Sequence, residues 1–205
     1  MRYVEPVTLE GAHVRLEPAA PAHVEGLWHA GRYPEIWAMR PYPVYSLAEM
    51  RAQVEAAIAA RDAGVLLMFA TIEVATGRVV GSTSFANIDE LNHRLEIGAT
   101  WIAPAWQRSP VNTEAKYLQL RHCFEDLHCA RVEFKTDARN ARSRAALARI
   151  GATEEGTLRR HLVLPDGFIR DSVYFSVLDH EWPAVKAGLE ARMSAASAFE
   201  PPVDW

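Results

Sequence analysis

From Glu96 to Ser143 the chain runs strand, proline-containing loop, helix, strand, polar loop, helix, and no other stretch constrains the fold as tightly. Arg94 to Ile102 reads as a strand that Pro104 ends. Gln107 to Val111 is a loop, and a helix starts near Asn112 or Thr113, with Tyr117, Leu120, Phe124 and Leu127 as its buried stripe. Arg131 to Thr136, alternating through Val132 and Phe134, is a short strand. Asn140 then caps a helix over Ala141 to Ile150, and Gly151 stands just past its end. A strand leading through a loop into a helix N-terminus makes an anion site, because unpaired amides point outward and the helix dipole favours negative charge. The loop Gln107-Arg108-Ser109-Pro110-Val111-Asn112-Thr113 adds an arginine and hydroxyls there, which suits a diphosphate. The alternative is a capped helix start with no ligand.

The flanking sequence fills in the remaining elements. His13 to Glu17 is a strand stopped by Pro18 and Pro21, followed by a short helix over His23 to Ala30 and a Pro- and aromatic-rich stretch, Tyr33 to Tyr45. Ser46 with Glu49 forms a capping box, and Leu47, Met50, Val54 and Ile58 give a helical stripe running to about Asp62, with Gly64 as its stop. Val65 to Val74 and Val79 to Ile88 form a hairpin across Ala75-Thr76-Gly77-Arg78. Glu154 to Val163 and Arg170 to Val177 are strands joined by Pro165-Asp166-Gly167, and a last helix starts around Asp179 to Pro183 and continues to about Ala195. Residues 196–205 read as a tail. With no repeat or linker, residues 1–205 read as a single α+β domain with a mixed sheet. Its order is β-α-α-β-β-β-α-β-α-β-β, with a C-terminal helix.

Composition bounds the partners. Lys plus Arg number 22 against 26 Asp plus Glu, a net charge of −4, so no broad basic field faces nucleic acid or an anionic membrane. Met1 to Val14 lacks the apolar core of a signal peptide, and no stretch approaches the ~18 apolar residues of a membrane span. A cytoplasmic protein is expected. Cys123 and Cys129 are spaced neither as a CxxC redox motif nor as a common zinc pair, even with His122 and His128 beside them. They read as structural thiols, and no metal is expected.

Three pieces carry a resemblance. Leu95-Glu96-Ile97-Gly98 runs into Pro104-Ala105-Trp106-Gln107; Thr113-Glu114-Ala115 opens the next helix; and Asn140-Ala141-Arg142-Ser143 is followed by Gly151 and Glu155-Gly156. Together they resemble the GNAT acetyltransferase superfamily, in the branch of the ribosomal-protein N-terminal acetyltransferases, over about residues 7–190. The resemblance implies a GNAT-like fold with acetyl-CoA as co-substrate, a primary amine as acceptor, and a homodimer that the tail Phe199 to Trp205 could join. It implies that the strand carrying Glu96 splays from its neighbour, so that the pantetheine arm adds to Ala99, Trp101 and Ile102. The pyrophosphate would rest on the loop of Gln107, Arg108, Ser109, Val111, Asn112 and Thr113. Asn140 would bond the pantetheine arm, Ser143 would act as general acid toward the leaving thiolate, and Glu96 as base.

The phosphate loop departs from the family pattern Gln/Arg-x-x-Gly-x-Gly/Ala, because its two small positions hold Pro110 and Asn112. Asn tolerates left-handed dihedrals and can cap a helix. Pro removes a backbone donor, and losing one charge-assisted hydrogen bond costs about 1.5–3 kcal/mol, roughly 10- to 150-fold in affinity. A direct contact from Arg108 to a phosphate would offset that loss.

Each candidate has a competing role. Glu96 could pair with Arg94 or His93, and Ser143 could face the core. Tyr33, Trp37, Tyr42 and Tyr45 form either an acceptor wall or core, and Asp89 and His161 either line the acceptor cleft or pack elsewhere. An α-amino group, with pKa near ~7.7–8.0, loses its proton far more easily than lysine at ~10.4. The acceptor is therefore a protein N-terminus or a small amine, and the acidic balance leans toward a cationic one. A non-catalytic acyl-CoA-binding module is the reading from another class.

Overall fold

Valine, leucine and phenylalanine placed at every second residue need a sheet face to bury against, and the chain builds one sheet for all of them. The computed structural model describes residues 3–195. Its strands are β1 (Leu9–Glu10), β2 (Val14–Pro18), β3 (Leu67–Glu73), β4 (Val79–Asp89), β5 (Arg94–Ile102), β6 (Arg131–Asp137), β7 (Thr153–Val163) and β8 (Ile169–Leu178). They lie in the order β1-β2-β3-β4-β5-β6-β8-β7. The two-residue β1 precedes every strand read from sequence, so the strand carrying Glu96 is the fifth. The helices are α1 (Val24–Gly31), α2 (Leu47–Asp62), α3 (Pro110–Arg121), α4 (Ala141–Arg149) and α5 (Trp182–Ala195). The tail, residues 196–205, and any interface it joins lie outside the described residues.

Hairpins join most neighbouring strands antiparallel, but β5 reaches β6 by crossing over through α3, so that pair is parallel. The parallel ladder is short. It holds Arg94 against Arg131, Leu95 against Val132 and Glu96 against Glu133. Beyond Glu96, β5 continues along β4 to Ile102, while β6 continues along β8 to Asp137. The sheet therefore forks after Glu96 and leaves the far half of one β5 edge without a strand. The β4–β5 register slips between Ser82–Trp101 and Ser84–Gly98, and Ala99 takes φ 51°, so β5 bulges within its unpaired half.

Helices α1 and α2 pack on each other and against β4 and β3, while α3 packs on β2 and α5. Phe69 and Phe85 meet edge to face in the core at 5.3 Å, and Trp106 at the exit of β5 is fully buried. Ser46 caps α2 as its sequence predicts, its Oγ accepting from the Glu49 amide at 3.2 Å. The start of α3 differs from expectation. It begins at Pro110, with Ser109 rather than Asn112 or Thr113 at its mouth, because proline at the first helical position costs no hydrogen bond and presets φ. The helix also widens into a π turn over His122–Asp126.

Candidate active site

The fork in the sheet opens a cleft of about 1670 Å³, lined by Glu96 to Ile102 of β5, the entry to α3, the end of β6 and the first turn of α4. Glu96 sits at the point of divergence and is only 5% exposed. Its partners are neither Arg94 nor His93. Asn87 Nδ2 donates to its Oε2 at 2.7 Å and Lys135 Nζ to the same oxygen at 3.1 Å. Arg94 is instead engaged with Asp89 at 3.0 Å and Glu133 at 3.6 Å. With both contacts on Oε2, the other carboxylate oxygen lies over Gly98, where a Cβ would stand 2.5 Å away.

At the far end of the cleft two helix N-termini converge. Ser109 Oγ accepts from the Val111 amide at 3.3 Å and donates to the Trp106 carbonyl at 2.7 Å, so the Val111 donor is committed to the cap. Val111 itself is buried and does not line the cleft, unlike Gln107, Arg108, Ser109, Asn112 and Thr113. The first turn of α3 thus offers the cleft the amide of Asn112, because Pro110 has no N–H and Thr113 is the first residue whose amide can reach back to the Ser109 carbonyl. The Asn112 Oδ1 is buried without a hydrogen-bond partner. Arg108 stands exposed in the left-handed region, at φ 67°.

Asn140 Oδ1 accepts from the Ser143 amide at 3.0 Å, which makes Asn140 the cap of α4, and both residues line the cleft. Gln107 ties the two helix starts together. Its Nε2 donates to the Ile102 carbonyl at 3.1 Å, and its Oε1 accepts from Arg142 at 2.6 Å. Arg142 of the first turn of α4, Arg149 of its last turn and Arg192 of α5 line the same cleft as Arg108. The donor set and the local positive charge match a diphosphate on two helix N-termini.

The expected acceptor residues divide. Trp37 and Tyr42 line the cleft; Trp37 is buried against Trp101 at 5.5 Å, with its Nε1 donating to the Gly31 carbonyl at 2.7 Å. Tyr33, Tyr45, Asp89 and His161 are not among the lining residues. Asp89 accepts from the Asn92 side chain at 2.8 Å and from Arg94, holding the β4–β5 turn, and these bonds keep its carboxyl below the usual range. His161 packs edge to face on Tyr174 at 5.9 Å. Burial, together with the charges of Lys135 and Arg170, pulls its pKa below the ordinary histidine value.

Several cations missed by the sequence reading line the same cleft, Arg40, Lys116, Lys135 and Arg170 among them. Lys116 of α3 is buried and donates to Thr100 Oγ1 at 2.7 Å, Thr83 Oγ1 at 3.1 Å and Gln119 Oε1 at 3.1 Å. Its burial pulls the amine down to about 7. Arg40 donates to the carbonyls of Thr100 and, at 2.9 Å, Ile36. Nothing local marks them: even Lys135 only takes the polar place in the alternation of β6, as Arg131 and Glu133 do.

Near the cysteine pair, His122 Nδ1 lies 2.7 Å from Asp126 Oδ2. Among the described residues no group of three or more His, Cys, Asp or Glu is placed to hold a metal ion. Nor is any described helix long and apolar enough to cross a membrane.

A family model for the acetyltransferase (GNAT) domain matches residues 13–153, which takes in the fork, the first turn of α3 and the cap of α4. The chain belongs to the GNAT acetyltransferase family. A GCN5-related N-acetyltransferase from Brucella melitensis superposes with a TM-score of 0.87 at 32% identity, over 97% of this chain and 93% of that one. A protein from T. thermophilus classed as an acetyltransferase gives 0.83 at 39% identity, over 92% and 98%. A Bacillus subtilis (strain 168) protein named ribosomal N-acetyltransferase YdaF is 36% identical over 110 residues. That match covers 54% of this chain and 59% of YdaF, so the chain spans less than two thirds of this curated relative. The mixed eight-stranded sheet with its fork is the GNAT fold.

Proposed function

We propose that the chain is an N-acetyltransferase that moves an acetyl group from acetyl-CoA to a primary amine, with a protein N-terminal α-amine as the leading acceptor. The observation that carries this reading is the parting of β5 from β6 at Glu96, which opens an unpaired strand edge between a buried carboxylate and two helix N-termini. That cleft fits acetyl-CoA. Its diphosphate would meet the first turn of α3 with Arg108 and Arg142, and its amide-bearing arm would follow the free edge of β5 past Ala99 to Ile102 toward Asn140. The buried, unpartnered Asn112 Oδ1 is an acceptor that such a ligand's donors would satisfy.

When bound, acetyl-CoA supplies an activated thioester carbonyl. The protein supplies the rest. Glu96 Oε1, free of the contacts that fix Oε2, takes the proton of the attacking amine directly or through water. Backbone amides at the β5 bulge stabilise negative charge on the carbonyl oxygen. Ser143, at the third position of α4, hydrogen-bonds the departing sulfur or protonates it. Holding amine and thioester side by side in the fork contributes much of the acceleration. The name of the Bacillus relative supports a protein N-terminus as acceptor, and the two free cysteines support a reducing, cytoplasmic setting.

The test is calorimetric binding of coenzyme A together with thiol release from acetyl-CoA over a panel of amines and N-terminal peptides. Binding with turnover on at least one amine is expected. A protein that does not bind coenzyme A sinks the proposal; tight binding without turnover on any amine converts it to a binding module.

A further inference from the structure

The charge inside the acceptor half of the cleft is opposite to that of the whole chain. The sequence carries a net charge of −4, yet the side chains around the fork are mostly cationic. The carboxylates close to them are already engaged. Glu96 is bound by Lys135 at 3.1 Å, and Asp137 is held by Arg139 through bonds of 3.0 and 2.8 Å.

Two guanidinium groups are left over. Arg170, only 6% exposed, donates from Nε to the Ser172 hydroxyl at 3.1 Å. Arg40, partly buried, donates to two backbone carbonyls. Among the described residues neither has a carboxylate within ion-pair distance, although both line the cleft. Buried charges are normally paired, since removing an ion from water costs several kcal/mol unless a counter-charge replaces the solvent. The two cations also repel each other. Burial, with Arg170 nearby, pulls Arg40 down to about 10. Burial pulls Arg170 below its ordinary value against the fields of Asp137 and then Glu96, so this guanidinium, with no carboxylate in direct contact, sits near the carboxylate assigned as base.

We propose that Arg40 and Arg170 form an anion pocket beside the transfer site, so that the acceptor is an amine carrying a carboxylate or phosphate next to the group acetylated. This rests on the transferase reading and narrows its acceptor. A polycationic amine would bring positive charge against Arg40 and Arg170 in the same recess. An anionic amine instead places its ammonium toward Glu96 and its anion toward the two guanidinium groups, which bind planar carboxylates and phosphates through paired N–H donors. The phosphates of the coenzyme have their own donors at the starts of α3 and α4, so this second set is left for the other substrate.

The test is calorimetry on the protein saturated with coenzyme A, whose phosphates are then already seated. Matched pairs are titrated: L-glutamate with L-glutamine, the peptide amide Ala-Asp-Phe with Ala-Asn-Phe, and O-phosphoethanolamine with ethanolamine, with spermidine as the cationic control. The first two pairs read a carboxylate and the third a phosphate. In at least one pair the anionic member should bind about ten-fold tighter or more, and spermidine should bind more weakly than that member. R170Q should abolish the preference while keeping coenzyme A affinity, and R170K should restore part of it. Equal affinity within every pair, or no binding by any anionic member, overturns the proposal, and the wild-type pairs decide this even where R170Q does not fold. An intact anion preference without thiol release from any amine sinks the transferase reading alone.

Discussion

Glu96 and Gly98 share one face of β5, and the carboxylate of Glu96 lies so close over Gly98 that a Cβ there would stand 2.5 Å from Oε1 and 3.2 Å from Cδ. The glycine is thus the room in which the proposed base rests. Residues two apart on a strand point the same way, so the pair Glu-x-Gly is a local device for laying a carboxylate along the strand.

Gly98→Ala should push that carboxylate off its seat. Since the methyl group meets the oxygen rather than the coenzyme edge, kcat should fall by about 10- to 100-fold with the KM for acetyl-CoA little changed. The overpacking should also cost roughly 1–3 kcal/mol of stability, read by urea titration. An alanine variant with unchanged kcat would remove Glu96 from the chemistry.

Lys135 and Asn87 both grip Oε2 and so decide which oxygen of Glu96 stays free. Lys135→Met, which keeps the stem and loses the ammonium, should lower kcat by about 10-fold or more. It should destabilise the fold by about 1–3 kcal/mol, because it leaves a nearly buried carboxylate with one partner fewer. Asn87→Ala should act in the same direction more weakly, and its effect should shrink in the Lys135→Met background, as a double-mutant cycle would show. Additive effects would mean that the two residues do not act through one carboxylate.

Ser143 lines the cleft with its amide already satisfied by Asn140, so its hydroxyl is the part left to act. Ser143→Ala should reduce the rate by about 3- to 30-fold with acetyl-CoA as donor. It should leave the melting temperature nearly unchanged, since neither the cap nor the helix propensity suffers. A donor with a better leaving thiolate should narrow the difference; an equal loss with every donor would argue for positioning rather than proton donation.

What the sequence displays depends on whether the signal is local. The Ser46 cap three residues before Glu49, the apolar run of β3 with its turn into β4, and Asn140 before Ala141 are complete within a few residues, and α2, the hairpin and the cap of α4 follow from them, although the Glu49 carboxylate takes the Tyr45 amide rather than that of Ser46. The start of α3 is harder to place, because Ser109-Pro110 and Asn112-Thr113 carry competing start signals, and the proline outweighs the asparagine. The partners of Glu96 are not legible at all. Lys135 reaches it only because β6 pairs parallel with β5, and Asn87 only through the β4–β5 register, while Arg94 turns to Asp89 and Glu133. Arg40 lies in an aperiodic stretch and Arg170 on a strand remote in sequence, so their shared cleft exists only in the folded sheet.

Glu114 offers a test of what holds this sheet to α3. Its buried carboxylate accepts from three successive amides, Ala12 at 2.9 Å, His13 at 2.6 Å and Val14 at 2.8 Å, stapling the β1–β2 turn onto the helix. Gly11 is tied to the same feature, since a Cβ there would overlap the carboxylate, 2.7 Å from each oxygen. Glu114→Ala leaves those donors unpaired and should cost about 3 kcal/mol or more in urea unfolding, with Gly11→Ala destabilising in the same direction. A loss below about 1 kcal/mol would mean that water replaces the carboxylate without penalty.

Lys116 gives the fold a pH dependence whose sign can be worked out. Its amine is held near 7 in the folded chain by burial, against ~10.4 when unfolded, so between those values the unfolded chain binds the extra proton. Stability from this group therefore rises as pH climbs from about 7 toward 10, and the penalty for burying the charge is fully felt below 7. Lys116→Met removes the titration. Thr83 still meets Thr100 at 2.7 Å and Gln119 at 3.1 Å, so the substitution strands no hydroxyl. The variant should be more stable than the parent at about pH 6, and the gap should close or reverse by about pH 9. Burial raises the Tyr3 hydroxyl and the Cys123 thiol, and both oppose the trend in the same alkaline range, so the quantity to follow is the difference between parent and variant in urea unfolding at each pH. A difference that stays flat from about pH 6 to 9 would mean that Lys116 keeps its ordinary basicity in the core.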